Sequence, residues 1–169
     1  MSNKIMEIDT NIFKQNIIKI KEFVGNKVTI MPVIKANGYW TYINKNLKLI
    51  DDFEIIAVAT VDEGVKIRNL GFKNQIFILN QPTIEEIYQI VKNNLIIGIC
   101  SEKFLKYISN LNYKFRVHLE IETGMGRTGI YLNQIDKFLK NIGRNITIEG
   151  IYTHLYSAYI DEKYTNKQI

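Results

Sequence analysis

Apolar runs rich in β-branched residues alternate with amphipathic stretches along nearly the whole chain, and this exchange of period restricts the folds open to it. The apolar runs predict strands over 28–35, 55–60, 75–79, 95–100, 115–122 and 147–154. Helical spacing predicts helices over 10–24, 61–70, 84–93, 102–110 and 133–142, and 161–169 reads as the start of another. Local signals support these boundaries. Thr83-Ile-Glu-Glu86 has capping-box spacing, Asp62 stands ahead of a helical run, and Gly71 supplies a stop. Strands and helices in strict alternation belong to parallel α/β architectures, either a doubly wound sheet or a (β/α) barrel.

The run 115–122 favours the barrel. Arg116, His118, Glu120 and Glu122 share one face of it, and Val117, Leu119 and Ile121 share the other. A central strand of an open doubly wound sheet is apolar on both sides, whereas a barrel strand near a site can turn polar groups inward. A closed barrel of this type needs eight strands and typically about 250 residues. The 169 residues here therefore predict a partial (β/α)8 TIM-type barrel with about six of the eight βα units, over 1–169 as one domain.

Composition narrows the partners. With 46% hydrophobic residues the chain can build a sizeable core. The net charge of +5 comes from lysines scattered among glutamates on helix faces, a solvated surface and not a nucleic-acid footprint. No apolar stretch approaches the roughly 18 residues of a membrane span, and Met1-Ser-Asn-Lys4 lacks a signal-peptide core, so no membrane partner and a cytoplasmic location are expected. The single Cys100 ends the run 95–100 and reads as a small buried hydrophobe.

Three sets of residues carry candidate chemistry. Lys35 follows the apolar segment Thr29-Ile-Met-Pro-Val-Ile, placing one amine at a strand end, where a desolvated lysine can condense with a carbonyl compound. Tyr39 lies four residues on. The turn Glu122-Thr-Gly-Met-Gly-Arg-Thr-Gly129 packs three glycines into six residues and presents Arg127; it is neither a dinucleotide fingerprint nor a phosphate loop. His154 closes the last predicted strand. Carboxyl ends of parallel strands gather on one face, so these positions are expected to be neighbours. Ligand-spaced histidines or cysteines are lacking, and no metal site is expected.

Pro32-Val-Ile-Lys-Ala-Asn-Gly-Tyr39, Ala57-Val-Ala-Thr-Val-Asp-Glu-Gly64, Val117-His-Leu-Glu-Ile-Glu-Thr-Gly-Met-Gly-Arg-Thr-Gly129 and Glu149-Gly-Ile-Tyr-Thr-His154 together resemble the N-terminal part of the PLP-dependent alanine racemases, in family order. The resemblance implies a pyridoxal 5'-phosphate (PLP) cofactor carried by Lys35, which is also one of two bases at the amino-acid α-carbon. It further implies that Tyr39 hydrogen-bonds the cofactor phosphate, that Arg127 lies against its phenolic oxygen and the substrate carboxylate, and that His154 stands beside the pyridine ring.

The chain departs from that family at several positions. Trp40-Thr-Tyr42 stands where Gly-His-Gly is usual, Glu120 and Glu122 stand where a lysine and an aspartate are usual, and Tyr159 replaces a frequent aspartate. The family's second base, a tyrosine, belongs to a C-terminal β domain expected to be absent here. The expected function is L-alanine to D-alanine conversion for cell-wall precursors, in a truncated or split form with reduced or no activity alone. The partners are then alanine or serine as substrate and a homodimer or a complementing C-terminal fragment. The alternatives are a non-enzymatic PLP-binding protein and an inactive gene remnant.

Overall fold

The computed structural model describes residues 5–41 and 46–169. The opening Met1–Lys4 and the Tyr42 of the Trp40-Thr-Tyr42 departure lie outside the described residues. The chain divides into two compact units, Met1–Phe77 and Ile78–Ile169.

The first unit begins with helix α1 (Thr10–Val24), which has the predicted bounds for a local reason. Asp9 caps it by accepting hydrogen bonds from the N–H groups of Asn11 and Ile12 at 2.8 and 3.1 Å, and Gly25, at φ 78°, ends it. Strand β1 (Ile55–Val58) is buried along its whole length and is the neighbour of β2 (Gln75–Ile78). Helix α3 (Val61–Asn69) runs between them and buries Val61, Gly64 and Ile67. Its start lies one residue beyond Thr60, which caps it, so the boundary signal is Thr60-x-x-Glu63 and not Asp62.

The predicted strand 28–35 is the main correction. Only Val33 bridges to Ala57, in parallel, with Ile34 N–H donating to the Ala57 carbonyl at 2.8 Å and Ala57 N–H donating to the Pro32 carbonyl at 2.9 Å. Pro32 has no N–H to extend a ladder. Past Ile34 the backbone enters α2 (Lys35–Tyr39), a short left-handed helical turn that the apolar pattern does not announce.

In the second unit β3 (Ile96–Ile99), β4 (Phe115–Glu122) and β6 (Ile146–Tyr152) form a parallel sheet with β4 in the middle. The register of β4 against β6 shifts between Val117 and His118, where β6 bulges at Glu149. Arg116 Nε donates to the Glu149 carboxylate at 2.6 Å beside this bulge. A two-residue β5 (Ile130–Tyr131), absent from the sequence prediction, pairs with Ile121 and Glu122. Helices α4 (Ile87–Lys92), α5 (Glu102–Ser109), α6 (Ile135–Leu139) and α7 (Glu162–Gln168) complete the unit. The first and third of these start later than predicted because their opening turns, Ile84–Glu86 and Leu132–Gln134, are 3₁₀. The core is aliphatic, with Ile96, Ile97, Ile99, Leu105, Ile108 and Val117 fully enclosed.

Candidate functional site

The first unit presents Lys35 on the left-handed turn. Ala36, Asn37, Tyr39 and Trp40 all have positive φ, between 53° and 68°, which costs an L-residue roughly 1–2 kcal/mol each. Gly38 tolerates the same conformation freely. The turn closes through Gly38 N–H to the Ile34 carbonyl and Trp40 N–H to the Ala36 carbonyl, both at 2.9 Å. Its left-handed winding leaves Lys35 Nζ 6.0 Å from the Tyr39 ring centroid, within cation–π range. Lys35 is half-buried, Tyr39 is exposed, and among the described residues neither makes an ion pair.

One carboxylate holds this turn. Glu63 Oε1 accepts from Ala36 N–H at 2.6 Å, while Oε2 accepts from Ala59 N–H at 2.8 Å and Thr60 N–H at 3.3 Å. Glu63 is absent from the site residues expected above. Its signal was the Thr60-x-x-Glu63 spacing, which identifies a helix start and so conceals a second use of the same side chain.

In the second unit the glycine-rich turn is built around two nearly enclosed glutamates of β4. Glu122, 9% exposed, accepts from Gly124 N–H at 2.5 Å, Gly126 N–H at 2.9 Å and Arg127 N–H at 3.2 Å. These backbone donors, Gly126 first among them, hold its carboxyl below the usual carboxylate range against a smaller opposing effect of burial. Glu120, 7% exposed, accepts from the Thr128 hydroxyl at 2.7 Å. The turn is thus gripped on both sides of Arg127. Gly129, at φ 128°, passes so close to the Ile121–Glu122 backbone that a Cβ would lie 2.6 Å from Glu122 N. Arg127 itself is exposed and forms no ion pair among the described residues, leaving its guanidinium available to an anion.

His154 follows β6 and is exposed. The hydroxyls of Thr123 and Thr153 meet at 2.8 Å, so the start of the Arg127 turn and the residue before His154 are neighbours. Gln168 of α7, 5% exposed, donates from Nε2 to Thr123 Oγ1 and to the His154 carbonyl, each at 3.4 Å, and accepts from Tyr156 N–H at 3.0 Å. Tyr164 donates to the Gly124 carbonyl at 2.6 Å. Nothing in the sequence marked α7 as a brace for the turn, because its polar residues look like those of any solvated helix.

A polar cluster lies behind Glu120. The Tyr152 hydroxyl donates to the Leu79 carbonyl at 2.8 Å, and burial, then the nearby Glu120 and Cys100, push its pKa up. Burial, then Glu120, likewise raises the Cys100 thiol, partly offset by a hydrogen bond with the Gly129 backbone. Cys100 is half-buried and not fully enclosed, with Sγ 3.5 Å from the Gln81 carboxamide oxygen. Burial and the neighbouring carboxylate therefore favour the protonated form of both groups.

The family model "Alanine racemase, N-terminal domain" matches residues 8–169. The chain is 34% identical to an alanine racemase of Aquifex aeolicus over 172 residues, covering 100% of this chain and 47% of that protein. Among solved structures, the crystal structure of an alanine racemase from E. faecalis matches with a TM-score of 0.88 at 26% identity, covering 95% of this chain and 46% of that one. An alanine racemase of Clostridium difficile 630 matches with a TM-score of 0.81 at 27% identity, covering 98% and 47%. The chain therefore spans about half the length of the relatives it matches. The fold class expected from the sequence, a partial (β/α) barrel of this type, is the one it shares with them. Over nearly its whole described length, this chain belongs to the family of alanine racemase N-terminal domains.

Proposed function

We propose that this chain is the cofactor-binding part of a PLP-dependent racemase that interconverts L- and D-alanine, supplying D-alanine for cell-wall precursors. The observation that carries the reading is Lys35: a lysine with no ion-pair partner among the described residues, fixed on a strained turn beside Tyr39 and inside the family's matching stretch. The available groups suit the cofactor. A primary amine meets its aldehyde, the Tyr39 phenol is a donor for phosphate, and the Arg127 guanidinium is a cation for a phenolate or carboxylate oxygen. When bound, PLP supplies the electron sink that makes an amino acid's α-proton removable.

In this reading Lys35 holds the cofactor covalently and, when freed, moves a proton at the α-carbon with Nζ. Tyr39 holds the phosphate. Arg127 orients the substrate carboxylate, and His154 positions the ring. Racemisation requires a proton to leave one face and arrive on the other, hence two bases. In this reading Lys35 would provide one, and the second would belong to the part of the relatives' length that residues 1–169 do not cover.

The test is direct. The purified chain mixed with PLP should develop a visible absorbance band that Lys35→Ala abolishes, and borohydride reduction followed by peptide mapping should place one pyridoxyl group on Lys35. A chain that shows neither band nor adduct at high PLP is not a cofactor-binding racemase domain.

A further inference from the structure

We infer that Glu63 is a positioning residue for Lys35, acting through the backbone of the left-handed turn. The inference rests on the reading of Lys35 as the residue that holds PLP. It begins from strain: four non-glycine residues in succession around Gly38 adopt positive φ, and such backbone persists only where its surroundings over-determine it. The turn's own hydrogen bonds, Gly38 N–H to Ile34 O and Trp40 N–H to Ala36 O, leave Ala36 N–H unused. That donor, on the residue immediately after Lys35, goes to Glu63 Oε1 at 2.6 Å.

Glu63 is itself fixed at three further points. Its second oxygen accepts from Ala59 and Thr60 N–H at 2.8 and 3.3 Å, and its own N–H donates to Thr60 Oγ1 at 3.3 Å in a capping box. The helix carrying it is seated by Val61, Gly64 and Ile67, all buried. A single carboxylate therefore ties the turn to the end of β1 and the start of α3. Lys35 is only partly buried and its amine lies near the Tyr39 ring of the same turn, so the backbone of that turn governs where both side chains point. A glutamine keeps the length and one acceptor but turns an NH2 toward one of the two groups of donors. An alanine removes both acceptors.

The experiment uses the full chain with Glu63→Ala, Glu63→Gln and, as a control on the same exposed helical turn, Asp62→Ala. Each protein is titrated with PLP, reduced with borohydride and mapped for the pyridoxyl group on Lys35, and amide hydrogen exchange is followed over 35–41. We expect Glu63→Ala to need about tenfold more PLP for half-labelling, with Glu63→Gln between it and the unmodified chain and Asp62→Ala unchanged. Exchange over 35–41 should accelerate in the same order, while in Glu63→Gln exchange over 78–169 stays that of the unmodified chain, so that the effect is local and not a general loss of the fold. Should Glu63→Ala fail to fold, Glu63→Gln carries the comparison. Labelling of Lys35 in Glu63→Gln at the same PLP concentration as in the unmodified chain overturns the inference while leaving the function standing. Absence of any Lys35 adduct in the unmodified chain overturns the function, and this inference with it.

Discussion

Glu122 orders the Arg127 turn by satisfying backbone donors that an eight-residue glycine-rich loop would otherwise have to leave to water. Its carboxyl is held below the ordinary range by those same N–H groups. A group depressed in the folded state contributes stability that is fully present above its unfolded pKa and is lost as pH falls through the folded value. The turn should therefore be tight at neutral pH and loosen only on the acid side of about pH 4. Glu122→Gln removes the charge and aims an NH2 at a cluster of N–H groups, and it should cost about 1–3 kcal/mol. We expect faster amide exchange at Gly124, Gly126 and Arg127 than in the unmodified chain at pH 7, with the gap closing below about pH 4. An exchange rate indifferent to the substitution at neutral pH would remove Glu122 from this role. The sequence disclosed the turn and its arginine, because glycine spacing is visible in one dimension. It did not disclose that Glu120 and Glu122 face the turn as acceptors, since alternation assigns a face to a side chain and says nothing of its partner.

At the scale of elements, what was legible depended on whether the determinant was local. Helix α1 has its predicted ends because Asp9 and Gly25 are adjacent signals, and β4 has its predicted 115–122 because alternation persists through eight residues. The segment 28–35 failed where a non-local demand took over: the chain pairs with β1 only at Val33 and leaves the ladder after Ile34 to wind the turn that carries Lys35. Strand β5 was invisible because two residues carry no period. Gly98 shows a different kind of non-local demand. It interrupts the buried aliphatic run of β3, and an added Cβ would meet the Tyr152 hydroxyl and sit 2.7 Å from the Leu79 carbonyl. The carbonyl is backbone and cannot yield. Gly98→Ala should lower stability by about 1–3 kcal/mol. Combining it with Tyr152→Phe, which removes the obstructing hydroxyl, should cost less than the two single changes added together, as measured by urea unfolding. Strict additivity would mean that Gly98 is not there to admit Tyr152. The capping box at α3 gives a smaller effect, with Thr60→Ala expected to lose about 1 kcal/mol in the same assay.

For the molecule as a whole, the reading of Lys35 as one base of two makes a claim about stereochemistry that does not require full turnover. A base confined to one face of the α-carbon can remove a proton and return another from solvent to that same face. With PLP and either enantiomer of alanine in D2O, the 169-residue chain should therefore incorporate deuterium at the α-carbon of one hand with retention of configuration. The other hand, whose α-proton points away from Lys35, should exchange far more slowly. Mass spectrometry after chiral separation reads both quantities in one sample. Lys35→Ala should abolish the exchange, and Arg127→Ala should weaken it by about tenfold through loss of a charge-assisted contact to the carboxylate. Adding a polypeptide that corresponds to the remaining half of the relatives' length should convert retention into inversion. If the isolated chain instead scrambles configuration as fast as it exchanges deuterium, a second proton donor is already present within these residues, and the assignment of a single base to Lys35 falls.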